Sequence, residues 1–250
     1  RNRKNDIILK NINQKKISKI LEKYKPDIVI NLIALTNVDL CEKKIKESKK
    51  INSGIVKTIS QSINKNKLTK KIFLLHISTD QVYSGKGPHK ESSVKPINTY
   101  AKTKLNGEKY VKKIKGCVIR TNFFGKPVNN IKQGISDWIF HSLKKGKDIS
   151  VFKNVQFSPL SVNTLCKYIE IIINKKVPGT YNVGSKNGFS KAKFAFNFAK
   201  KLNLNTKLLK ILDYKKEQLI AKRPLDMRMN ISLFEKKFKI KLKSLNSEIN

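Results

Sequence analysis

The sequence predicts an α/β fold, a doubly wound parallel sheet, from three features. Residues 15–31 run from an amphipathic helical pattern through Pro26 into the β-branched segment DIVIN at 27–31. The apolar run IFLLHI at 72–77 has the length and composition of a strand covered on both faces. A Gly-poor helical segment at 101–115 leads directly into another short strand, GCVIR at 116–120. Helix and strand therefore alternate, as a parallel sheet requires.

Taken in order, residues 1–14 are polar apart from Ile7, Ile8 and Leu9. The helix at 15–25 places Ile17, Ile20, Leu21 and Tyr24 on one face, and Pro26 stops it. Residues 42–64 read as one long helix with Ile45, Ile51, Ile55, Ile59 and Ile63 on its apolar side. The strand at 72–77 ends in Ser78, Thr79 and Asp80, and a Gly/Pro/Ser-rich loop follows. After the strand at 116–120 comes a helix at 134–145, in which Ile135, Trp138, Ile139 and Leu143 are expected to face the core. Residues 151–162 read as a loop bending at Ser158-Pro159, 163–174 as a helix and 179–184 as a small strand. Ser190 is a helix N-cap residue, and the helix runs through Leu202 with Phe194, Phe198 and Leu202 as core. There is no internal repeat or long linker.

The 250 residues suit one domain, or a core with a small lobe. The formal charge of +38 comes almost wholly from Lys spread along the chain, with Arg at only five positions. Specific readers of phosphate and bases favour Arg, so nucleic-acid binding is not expected as the main role. A solvated Lys coat is expected instead, one that still attracts anionic ligands. No apolar run is long enough to span a membrane, and no N-terminal signal pattern is visible. Cys41, Cys117 and Cys166 are few, odd in number and far apart, which suggests reduced thiols in a cytoplasmic protein and no metal site.

The chemistry concentrates between 72 and 108. Tyr100 and Lys104 are four apart, so on a helix they share a face. A hydroxyl at the preceding strand end, Thr79, together with that pair can surround one carbonyl, a site for adding or removing hydride and proton. The spacing alone is weak: with 50 Lys in the chain, about one such pair is expected from composition. The context adds the weight, S-T-D-x-V-Y followed by P-x-N-x-Y-x-x-x-K-x-x-G-E. This string resembles the extended short-chain dehydrogenase/reductase family, and within it the dTDP-4-dehydrorhamnose reductases and related sugar-nucleotide reductases.

The resemblance implies roles. Thr79 would hydrogen-bond the substrate carbonyl and Tyr100 would be the general acid. Lys104 would hold the cofactor ribose and lower the Tyr100 pKa. NLIALTNVDLCE at 31–42 is similar to the segment under the cofactor in that family, so Ile33, Ala34 and Thr36 are expected beside it, with Tyr100 and Lys104. RTNFFG at 120–125 resembles the family's exit toward substrate, which marks Asn122, and RPLDMR at 223–228 suggests that Arg223 faces a nucleotide diphosphate. The implied core is 1–124 plus 161–183, and the implied substrate lobe 125–160 plus 184–250. The implied reaction is NAD(P)H-dependent reduction of a 4-keto sugar nucleotide, as in dTDP-L-rhamnose synthesis, with NADPH or NADH as cofactor. The nucleotide sugar is the expected partner, and a homodimer is compatible. A sugar-nucleotide epimerase or dehydratase, or a noncatalytic reductase-like regulatory subunit, are the alternatives. Dehydratases of the family carry an Asp-Glu pair beside the catalytic hydroxyl, where this chain has Asp80-Gln81.

The family's opening strand, Gly-rich turn (G-x-x-G-x-x-G) and helix have no counterpart, because no Gly precedes Gly54. The sheet is therefore expected to be N-terminally incomplete by a βαβ unit of roughly forty residues. Weak cofactor binding and poor solubility are expected of the chain as it stands.

Overall fold

Alternation along two central strands explains the layering. In the computed structural model, which describes residues 7–9, 11–65, 71–126, 134–215 and 219–250, the main sheet has four parallel strands. They are β1 (Ile28–Asn31), β2 (Phe73–Thr79), β3 (Cys117–Thr121) and β8 (Gly179–Val183), in the order β1-β2-β3-β8. Ile72, Leu74 and Val118 point to one face, where Leu21, Val56, Ile59, Ile63 and Val111 pack on them. Phe73, Leu75, Cys117 and Ile119 point to the other, against Leu165, Tyr168, Ile172, Phe234 and Phe238. Each such side chain contributes about 1.5–3 kcal/mol by leaving water, so both faces of this short sheet are held.

Before β1 lies α1 (Gln14–Tyr24), and between β1 and β3 lie α2 (Val38–Lys43), α3 (Ile45–Lys49), α4 (Ile55–Lys65) and α5 (Thr99–Lys113). Beyond β3 come β4 (Phe123–Phe124), α6 (Ile135–Lys144), β5 (Ile149–Phe152), β6 (Gln156–Phe157), β7 (Leu160–Ser161) and α7 (Val162–Lys175). After β8 follow β9 (Phe189–Ser190), α8 (Lys191–Lys201), β10 (Leu209–Leu212), α9 (Ser232–Phe238) and α10 (Leu245–Ile249). The short strands pair as β5 with β10, β4 with β7 and β6 with β9. Around them a second core gathers Phe124, Ile139, Leu143, Val151, Phe157, Phe194 and Leu245. Met229, Phe234, Phe238 and Leu242, late in the chain, pack with the main sheet.

Several expectations need correction. The single helix over 42–64 is in fact α2, α3, a π-type turn at Lys50–Gly54 and α4. The cause is distant in sequence. Asn52 lies inside the turn, buried, where it accepts the Leu35 N–H at 2.7 Å and donates to the Leu35 carbonyl at 3.1 Å and to Thr103 Oγ1 at 3.1 Å. An extra residue per turn lets that side chain face inward. Ile45 is consequently exposed, as are Tyr24 and Leu202 at the ends of their helices. Residues 151–162 are not plain loop but contain the strands β6 and β7. Trp138, expected in the core, is 37 % exposed because its side of α6 borders a cavity.

A buried polar network stitches the layers. Glu108 of α5 takes a paired grip from Arg120 of β3, at 3.0 Å from Nε and 2.7 Å from Nη2, and a hydrogen bond from Ser78 at 2.6 Å. Arg120 Nη1 donates to the Tyr83 hydroxyl at 2.8 Å and to the Glu91 carbonyl at 2.6 Å. Tyr83 in turn donates to Asn182 of β8 at 2.6 Å.

Gly107 sets how closely α5 approaches the π-type turn. A Cβ there would lie 2.6 Å from the Asn52 carbonyl oxygen. In an open helix Gly→Ala stabilises by about 1 kcal/mol. Here Gly107→Ala is expected to destabilise by about 1–3 kcal/mol, since backbone must give way. Urea denaturation reads the sign directly.

Candidate active site

The site forms where β2 stops. Thr79 caps a 3-10 turn (Asp80–Val82): its Oγ1 accepts the Gln81 N–H at 3.2 Å and donates to Asp80 Oδ1 at 3.3 Å. Helix α5 starts at a fixed point because Asn98 accepts the Ala101 N–H at 2.8 Å and donates to the Lys222 carbonyl at 3.0 Å. Glu42 anchors the first turn through the Thr99 N–H and hydroxyl, both at 2.7 Å. The helical spacing then turns Tyr100 and Lys104 onto the same buried face, 7 % and 1 % exposed.

Tyr100 faces Thr79. Burial pushes its phenol up to about 12; hydrogen bonding by Thr79 opposes this, while the charges of Asp80 and Cys41 add to it. The expectation that Lys104 lowers the Tyr100 pKa is not met. The Lys104 amine is turned to β2, donating to the Ile77 carbonyl at 2.6 Å and lying 3.4 Å from His76 Nε2. Burial lowers Lys104 itself to about 8, against the pull of Glu108. The phenol is protonated at neutral pH, and burial makes it a weaker acid than a free tyrosine, so its tuning toward the working pH is not supplied by the groups around it here.

Asn122 reaches this point: its amide donates to Asp80 Oδ2 at 2.8 Å. Asp80 is buried, and its carboxyl is pushed up to about 6 by burial, opposed by Asn122, Lys191 and Thr79. Its position in the site needed the fold, although the S-T-D string was in view. Phe123, next to Asn122, is half exposed.

The Ile33–Thr36 stretch lies at the C-terminal end of β1, the neighbour of β2, with Asn31 accepting the Ile33 N–H at 3.2 Å. Ile33 and Thr36 are exposed and Ala34 partly so. Ligands of open α/β sheets bind at these carboxyl ends. Among the described residues, no group of three His, Cys, Asp or Glu is placed to hold a metal ion.

Arg223 lies further out. Its Nη2 pairs with Asp39 at 2.7 Å, and Asp39 also accepts the Ala221 N–H at 2.9 Å. Its Nη1 is buried with no hydrogen-bond partner among the described residues. Lys191, at the start of α8, sits within charge-interaction range of both Asp80 and Arg223, and burial lowers its pKa. It lines a cavity of about 310 Å³ with Gly134, Trp138, Ser150, Val151 and Phe152. No sequence signal separates Lys191 from the other lysines.

A family model described as the RmlD substrate binding domain matches residues 5–250. The dTDP-4-dehydrorhamnose reductase of Salmonella typhimurium is 27% identical over 243 residues, covering 90% of this chain and 78% of the relative. The crystal structure of the Bacillus anthracis dTDP-4-dehydrorhamnose reductase in complex with NADP superposes with a TM-score of 0.85 at 24% identity, over 95% of this chain and 83% of that one. A hypothetical dTDP-4-dehydrorhamnose reductase from Sulfolobus tokodaii gives 0.81 at 28% identity, over 96% and 86%. The chain belongs to the RmlD substrate-binding-domain family.

Proposed function

We propose that this protein is an NADPH- or NADH-dependent oxidoreductase that reduces the 4-keto group of a nucleotide-linked sugar. Family membership supports the reaction class. The observation that carries the assignment to this site is Tyr100 buried on α5 facing Thr79 at the strand end, with Lys104 one turn behind. Thr79 Oγ1, whose single proton points at Asp80 Oδ1, would turn it to the carbonyl oxygen and polarise it. Tyr100, neutral at working pH, gives its proton to the oxygen as negative charge develops there. The bound cofactor supplies the hydride. For its nicotinamide and ribose half the chain offers Lys104, whose amine would have to leave the Ile77 carbonyl to reach a ribose hydroxyl, and the partly exposed Ile33–Thr36 stretch as a floor. Asn122 orients Asp80 toward the sugar. Arg223 and Lys191 offer positive charge to the diphosphate beside the cavity. The nucleotide sugar and reduced cofactor are its partners in the cytoplasm, and a homodimer is compatible with this.

The dehydratase reading is less favoured, because this chain has Asp80-Gln81 where the family's dehydratases carry an Asp-Glu pair. Gln81 accepts a hydrogen bond from the Asn98 amide at 3.3 Å, which ties it to the start of α5. Being an amide, it supplies no second acid beside Asp80.

Cofactor oxidation with a panel of keto-sugar nucleotides tests the proposal. Turnover with a dTDP-linked 4-keto-6-deoxy sugar is expected. Co-purification of a partner enzyme with no oxidation of either cofactor would favour the regulatory-subunit alternative.

A further inference from the structure

Behind Lys104 lies a buried relay that the reduction itself does not use. His76 of β2 is fully buried. Its Nδ1 lies 3.0 Å from Asn31 Nδ2, and its Nε2 lies 3.4 Å from Lys104 Nζ. The Asn31 amide has a set orientation, because its Oδ1 accepts the Ile33 N–H at 3.2 Å. Its NH2 therefore faces the ring, and an amide NH2 only donates. Nδ1 must be the acceptor. Burial keeps the ring neutral, so its one proton is on Nε2, pointing at Lys104.

An ammonium has three donors and no acceptor, so it cannot bond an N–H. The arrangement suits Lys104 as a neutral amine, which accepts from His76 Nε2–H and donates to the Ile77 carbonyl at 2.6 Å. The charged form needs the other ring tautomer, with Nε2 accepting and Nδ1 carrying the proton. Nδ1–H then faces the Asn31 NH2, two donors opposed. The conflict ends only if the amide turns its oxygen to the ring, which releases the Ile33 N–H.

We propose that His76 is a positioning residue that couples the charge on Lys104 to the backbone at Ile33 through the Asn31 amide. When Lys104 charges, the Nε2–H bond breaks and its proton passes to Nζ. A proton from water forms the Nδ1–H bond, so the ring stays neutral and one proton is taken up in all. The Asn31 amide then turns. The coupling is a property of the buried groups; only its consequence for the cofactor floor at Ile33 rests on the reductase reading.

The other charged and titratable groups around this amine are accounted for. Glu108, one turn on along α5, favours the ammonium but is held by Arg120 of β3 and Ser78 of β2. Tyr100 lies one turn before, with Asp80 after β2 and Cys41 of α2 acting on it. His76 makes the contact with Nζ.

The test needs no substrate. The chain has only three His, so the imidazole nitrogens can be followed by long-range 1H–15N spectra of the whole protein, with His76→Gln identifying the His76 signals. The expected result is the Nδ1–H tautomer well below pH 8 and the Nε2–H tautomer well above it, because burial lowers the Lys104 pKa to about 8. In Lys104→Met the ring should hold one tautomer throughout. One unchanging tautomer on both sides of pH 8 in the wild type would overturn the proposal, whether or not the protein reduces a sugar. A switch that persists in Lys104→Met would overturn it as well.

Discussion

Tyr100→Phe is expected to lower kcat by about 10²–10⁴-fold, the usual worth of a positioned general acid. The phenyl ring stays, and with it the packing against Val38, Cys41 and Ala221. Only the hydroxyl facing Thr79 is lost. The pKa of about 12 bears on this result, since the group removed is a proton carrier in its protonated state at neutral pH. Stability should change by only about 1 kcal/mol, the net worth of one hydrogen bond. Steady-state turnover and a urea melt on the same preparation separate the two effects. A variant that melts like the wild type and turns over like it would remove Tyr100 from the chemistry.

The largest loss of stability is expected from Arg120→Met. Both members of the Arg120–Glu108 pair are essentially unexposed, and the pair is bidentate. Removing the guanidinium leaves a carboxylate buried with Ser78 as its remaining partner, and it also strips the Tyr83 hydroxyl and the Glu91 carbonyl of a donor. Breaking such a pair costs about 3–5 kcal/mol, because the orphaned charge keeps its desolvation penalty. Adding Glu108→Gln to Arg120→Met should recover part of that loss, since the uncompensated charge is gone. Denaturation of the two single variants and the double variant gives the coupling. Additive losses would show that the pair does not act as a unit.

These residues also show what a sequence reveals and what it hides. The placing of Thr79 at a strand end, and of Tyr100 and Lys104 on one buried helical face, was legible because both are local patterns within a short string. The order of helices and strands was legible for the same reason. His76 was read as one member of an apolar run, since its importance lies in what Asn31 and Lys104 do on either side of it. Asp80 was in view, but its role depends on burial and on Asn122, which only the fold brings near. Lys191 was hidden among 50 lysines, and only the fold brings its charge to act on Asp80. The broken helix at 42–64 failed differently. Its isoleucines keep helical spacing, and the π-type turn is dictated by bonds from Asn52 to Leu35 and Thr103, which no local pattern encodes. Trp138 fits the helical period too, but the space it faces is a cavity and not packed side chains.

The central claim is that hydride arrives at one carbonyl carbon held at Thr79 and Tyr100. It is tested most directly by giving the protein a dTDP-linked 4-keto sugar and cofactor deuterated at the transferring position, then locating the label by NMR. Deuterium bonded to sugar C4 in a 4-hydroxy product is the result expected here. Deuterium retained in the cofactor while the sugar is epimerised or dehydrated would contradict it.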